Sequence, residues 1–176
     1  MDKLREVIRP MDVVLAVLLS GLGVWLMLEN MAGSDETRID STSWLLIPVF
    51  LLATLPVLFR RANMLAVILV SAAAIAVHVA AFGWLVRCGA GLPLAIVLAY
   101  SAGKLIGDRT QSVVALLLAI GVQYLVLMED SVAGLDILPV TAAIGVVAWG
   151  IGLYVRSRTE HRVPDTTDAV AAGARV

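Results

Sequence analysis

The sequence predicts an all-α polytopic integral membrane protein, a six-helix transmembrane bundle, and three observations predict it. The chain of 176 residues is 60% hydrophobic and only 15% charged, with a mean hydropathy of +0.94, whereas about a quarter of a soluble domain is charged. Six apolar stretches approach the roughly 20 residues needed to cross a hydrocarbon core. Basic residues gather at alternate ends of those stretches, as they do in short loops retained on the cytoplasmic side.

The hinge in residues 53–70, ATLPVLFRRANMLAVILV, anchors the count. Two apolar runs meet there at Arg60 and Arg61, and so short a turn joins two crossings whose ends share one side. That side is expected to be the cytoplasm, because an arginine costs about 2.5–3.5 kcal/mol at mid-membrane and little at the rim. The first crossing covers residues 11–28, entered through Pro10 and closed by Trp25. A signal peptide is not expected, since the apolar run continues to Leu28 with no small-residue cleavage site behind it.

The second crossing, residues 44–59, is short, with Pro48 near its start and Pro56 near its end. A bend is expected at residues 54–56, where proline removes a helical hydrogen bond. The third, residues 63–86, holds the small-residue stretch SAAAIAVHVAA and is expected at the centre of the bundle, since small side chains admit a close neighbour. The fourth, residues 92–106, opens with Pro93 in its first turn. It carries Ala95, Ala99, Gly103 and Gly107 at four-residue spacing, a helix-packing face. The fifth covers residues 110–128 and the sixth 137–155, with Trp149 and Tyr154 toward its second end.

With the amino terminus in the cytoplasm, the inner segments hold Lys3, Arg5, Arg9, Arg60, Arg61, Lys104, Arg109, Arg156, Arg158, Arg162 and Arg175, while the outer ones hold only Arg38 and Arg87. Eleven cations against two is a strong positive-inside bias, and Arg60, Arg61, Arg156 and Arg158 are its topology determinants. The plan is a cytoplasmic segment 1–10, a six-helix transmembrane domain 11–155 and a cytoplasmic tail 156–176. The tail's mixed charge and Pro164 predict a short helical extension fading into disorder. Glu29, Asp35, Glu36 and Asp40 in the first outer loop, with Glu129, Asp130 and Asp136 in the third, predict an acidic outer surface.

A single cysteine, Cys88, allows no internal disulfide and no thiolate cluster, and a net charge of −1 gives no sign of nucleic-acid binding. His78 lies within the third crossing, where an ionisable side chain is a functional candidate by default. Against that, one interhelical hydrogen bond satisfies a neutral imidazole. The only other histidine is His161 in the tail, so haem or metal ligation lacks a second ligand and no cofactor is expected. Ser71 stands seven residues before His78 on the same face, with no orienting carboxylate and no nucleophile elbow around it. Gln123 and Tyr124 in the fifth crossing, with Tyr100 in the fourth, are the other polar groups at depth. Ser71, His78, Tyr100 and Gln123 form a ligand pocket if they converge; otherwise they bond across helices for about 0.6 kcal/mol each.

Lys104, with Asp108 four residues on, reads as a snorkelling lysine with an acidic partner. Arg87 either pairs with Glu129, Asp130 or Asp136 or holds a lipid phosphate. The absence of a phosphate-binding glycine loop, of HExxH and of a mid-membrane carboxylate pair argues against an enzyme and against an ion-coupled transporter.

The hinge LPVLFRRANMLAVILV resembles the junction of second and third helices in the amino-terminal membrane domain of actinobacterial sensor histidine kinases, on Pro56, Arg60, Arg61, Leu65, Ala66 and Val67. Pro10 and Asp12 opening the first helix, Tyr100 before a basic turn, and Arg156 and Arg158 after the last helix also resemble that family. The resemblance implies a sensory membrane domain that signals to a histidine kinase or to a second copy of itself. Only 21 residues follow Val155 and His161 is in no phospho-acceptor context, so kinase activity is not carried over. The functions expected are therefore a non-catalytic sensor or interaction module in the bacterial cytoplasmic membrane, or a small-molecule channel or exporter, or an accessory subunit of a larger membrane complex.

Overall fold

The computed structural model of the protein describes residues 8–32 and 41–161. Its helices are α1 (Pro10–Ala32), α2 (Leu46–Thr54) continued by a 3-10 turn (Leu55–Phe59), α3 (Met64–Phe82), α4 (Cys88–Leu105), α5 (Arg109–Leu127) and α6 (Leu138–Glu160), the last entered through a 3-10 turn (Leu135–Ile137). The fold is all-α, with no strand among the described residues. Five of the helices, all but α2, are long and apolar enough to cross a membrane, which points to a membrane protein in contact with a lipid bilayer. Helices suit that solvent because each satisfies its own backbone hydrogen bonds. The expectations for residues 33–40 of the acidic loop and for the tail beyond residue 161 fall outside the described residues.

Local chemistry explains most of the boundaries. Pro10 opens α1, as its fixed φ suits a first helical position, and the helix continues to Ala32, past the expected end at residue 28. In α2 the α-helical pattern gives way to the 3-10 turn at residues 54 and 55, beside Pro56, where the bend is expected. Asn63 caps α3 by accepting from the Ala66 amide, and Asp108 caps α5 by accepting from that of Gln111. Asp108 is thus a helix cap and forms no ion pair with Lys104. At the other end of α3, Gly83 takes a φ of 60° and stops the helix at Phe82, short of the expected residue 86. Helix α4 starts at Cys88, earlier than expected, so Pro93 lies inside it and not in its first turn.

The expected centre of the bundle also moves. The most buried of the long helices is α4, not α3; it packs most extensively on α6, then on α5 and α1, while α3 packs between α2 and α5. Backbone proximity at two glycines explains the α4–α6 pairing. A Cβ on Gly103 would stand 2.2 Å from the Trp149 carbonyl oxygen, and one on Gly152 would stand 2.3 Å from that of Tyr100. Ala95, Ala99 and Gly103 lie on this buried side of α4. Gly107 does not: it falls beyond the end of the helix, with open space where a Cβ would project.

Candidate functional site

Buried charge gathers at the two ends of the bundle. At the hinge end, Asp12 in the first turn of α1 is fully buried. Its Oδ1 accepts from Arg60 Nε at 2.7 Å and lies 2.6 Å from Arg60 Nη2, while its Oδ2 accepts from Arg61 Nε at 2.7 Å and from the Arg9 amide at 3.1 Å. Arg60 Nη1 donates on to Ser101 Oγ of α4 at 2.9 Å. One carboxylate therefore ties the hinge to α1, and one of its arginines ties the hinge to α4. Charge-assisted bonds of this length are the strong kind.

Beside this network is a cavity of about 760 Å³ whose wall includes Arg9, Arg60, Arg61, Tyr100 and Lys104. Lys104 Nζ rests 5.6 Å from the Tyr100 ring centroid, a cation–π contact that holds both side chains at the cavity wall. Deeper in, the wall is apolar. A separate groove of about 520 Å³ between α2 and α3, lined by Leu55, Pro56, Phe59 and Val67 among others, is apolar almost throughout.

At the far end, Asp130 is the organiser. Its Oδ2 accepts the amides of Arg87 and Cys88, both at 2.6 Å, and its Oδ1 accepts those of Val132 and Ala133. A carboxylate at the first amides of α4 also meets the positive end of the helix dipole. Leu85 and Asp130 form an isolated bridge, with Glu129 at a φ of 56° presenting its carbonyl to the Leu85 amide and to Arg87 Nη1. The Arg87 side chain is fully buried; its Nε donates to His78 Nδ1 at 3.0 Å and its Nη2 to the Gly83 carbonyl. Since a guanidinium only donates, His78 Nδ1 must accept, which leaves the imidazole proton on Nε2. That nitrogen makes no hydrogen bond among the described residues. The Phe50 and Phe82 rings flank the imidazole edge-on. Asn30 joins the same end, exchanging hydrogen bonds with the Val86 backbone.

The four candidate pocket residues are engaged separately. Ser71 donates to the Ala53 carbonyl at 2.7 Å and so joins α3 to α2, while His78 accepts from Arg87. Gln123 is buried with neither amide atom hydrogen-bonded among the described residues, against the bare Gly145, where a Cβ would come within 2.7 Å of its Nε2. Only Tyr100 lines the hinge-end cavity. Of the four arginines expected to set the topology, Arg60 and Arg61 hold Asp12, Arg156 donates to the Ile106 carbonyl at the end of α4, and Arg158 lies over the Tyr154 ring. Sequence reasoning did not assign a site role to Asp12, Ser101 or Asn30. The one available signal was an acid in the first turn of an apolar helix, opposite a pair of arginines.

No protein-family model, curated protein or solved structure matches the chain.

Proposed function

We propose that the protein is a non-catalytic sensor or interaction module of the bacterial cytoplasmic membrane, crossing it six times with both termini in the cytoplasm and serving a signalling partner. That partner is a histidine kinase or a second copy of the chain. The observation that carries this reading is the outward face of α6. Val140, Ile144, Val147, Ile151 and Tyr154 are all exposed, at successive spacings of four, three, four and three residues. This is heptad spacing, the seam by which helices associate. The opposite face of α6, with Gly145 and Gly152, is spent on the bundle. The helix then continues through Arg156 and Arg158 to Glu160, and in the kinases that the chain resembles this stretch leads into the dimerisation helix. The channel reading required Ser71, His78, Tyr100 and Gln123 in one cavity and has lost that motive.

The positive-inside bias supports the orientation. A photo-crosslinking side chain placed at Val147 in native membranes, followed by mass spectrometry, tests the role; Leu69, exposed on α3, is the control position. Protein adducts at Val147 and lipid adducts alone at Leu69 are expected. Lipid adducts alone at both positions would overturn the reading.

A further inference from the structure

The hinge-end cavity combines two kinds of wall. Four cations face or border it, Arg9, Arg60, Arg61 and Lys104, and the neighbouring carboxylate, Asp12, is already saturated by Arg60, Arg61 and the Arg9 amide. Arg61 meets Asp12 through Nε alone, and its two Nη nitrogens make no hydrogen bond among the described residues. The Lys104 ammonium forms no ion pair among them either. Donors and positive charge are therefore in excess at the rim. Below it the wall turns apolar: Val97 and Ile96 lie seven and eight residues before Lys104 on α4, about 10 and 12 Å deeper along the helix axis. Ile151 of α6 closes the side.

From this combination we infer that the cavity binds an anionic phospholipid from the cytoplasmic leaflet, its phosphate held by Arg61 and Lys104 and the root of its acyl chains lying against Val97, Ile96 and Ile151. Arginine offers a phosphate a planar fork and lysine a point charge, the usual division of labour between them. A free phosphate ion would satisfy the rim and leave the apolar depth empty, so the lipid is the occupant that uses both walls. The inference requires that the helices lie in a membrane with the hinge end inward. It does not require a signalling partner, although a lipid seated there touches Ile151, which is also part of the α6 seam.

The full chain in phosphatidylcholine nanodiscs, with and without phosphatidylglycerol, provides the test, with retained lipid counted by native mass spectrometry. Preferential retention of phosphatidylglycerol is expected. Lys104→Gln should weaken it roughly fivefold, and Arg9→Gln with Lys104→Gln roughly thirtyfold, at the usual worth of a basic side chain near an anionic surface. Val97→Trp keeps every cation and fills the apolar depth, so it should also lower retention; melting curves of each variant show that it is folded. Equal retention of the two lipids, or retention unchanged in all three variants, would overturn the inference. Displacement of phosphatidylglycerol by millimolar inorganic phosphate would overturn it too, assigning the site to the free ion. Crosslinking at Val147 is independent of any of these results.

Discussion

Asp12 shows what a single residue contributes here. Its carboxylate is fully buried and bound by two guanidinium groups and one amide. Removing one partner of a buried pair is costly, about 3–5 kcal/mol, because the remaining charge is left uncompensated. Arg60 and Arg61 retain some side-chain exposure, 11% and 22%, and can partly rehydrate. Asp12→Asn should therefore lose about 3 kcal/mol, near the lower end, read as denaturant unfolding in micelles by circular dichroism. Adding Arg61→Gln should cost less than its own single-variant loss, since the arginine has lost the charge that it served; full additivity would show that the pair is not coupled. The sequence exposes Asp12 and the two arginines as separate charges. It does not reveal that they meet across 48 residues, because an ion pair between distant segments leaves no local periodicity. Arg87 is similar: of the three acids offered to it, Asp130 accepts from its backbone amide and Glu129 meets its side chain through a carbonyl.

At the scale of elements, hydropathy and capping chemistry made the helices legible, and packing decided what remained hidden. Asn63, Asp108 and Pro10 sit where the helices begin because each answers a local demand that a sequence displays. The four-residue stripe on α4 was legible as a packing face, but its occupant was not, since what meets Gly103 is the α6 backbone at Trp149 and Leu153, let in close by the bare Gly152. Four-residue spacing also carried the stripe one step too far, to Gly107, because spacing is blind to where a helix stops. The pairing gives a contrast within one helix pair. Gly103→Ala drives a methyl into the Trp149 carbonyl, and backbone cannot swing aside, so a loss of about 3 kcal/mol is expected, the upper end of overpacking costs. At Gly150, on the partner helix, a Cβ meets nothing within 4 Å. Gly150→Ala should therefore be neutral or should stabilise by about 0.5–1 kcal/mol through helix propensity. Equal unfolding midpoints for the two alanine variants would show that α4 and α6 do not touch at Gly103.

For the whole molecule, the number of crossings depends on α2. Its nine α-helical residues and five 3-10 residues span about 24 Å, less than the roughly 30 Å of a hydrocarbon core. The 3-10 turn helps, because its rise per residue exceeds that of an α-helix, and a bilayer thins locally to meet a short segment at modest cost. Charge supports the crossing that we propose. If α2 crosses, eleven cations lie inside and two outside; if it does not, the best split strands Lys3, Arg5, Arg9 and Arg87 on the far side of the other nine. A cysteine at exposed Thr42 and another at exposed Ala62, each in a Cys88→Ser background, bracket α2 and probe the question directly. In intact cells a membrane-impermeant maleimide should label the first, and the second only after permeabilisation. Equal accessibility of the two, with both labelled from outside or neither labelled before permeabilisation, would mean that α2 dips into the membrane and returns. The amino and carboxyl ends would then lie on opposite sides and the six-crossing plan would fall, and labelling of both from outside would remove the cytoplasmic placement of the hinge with it.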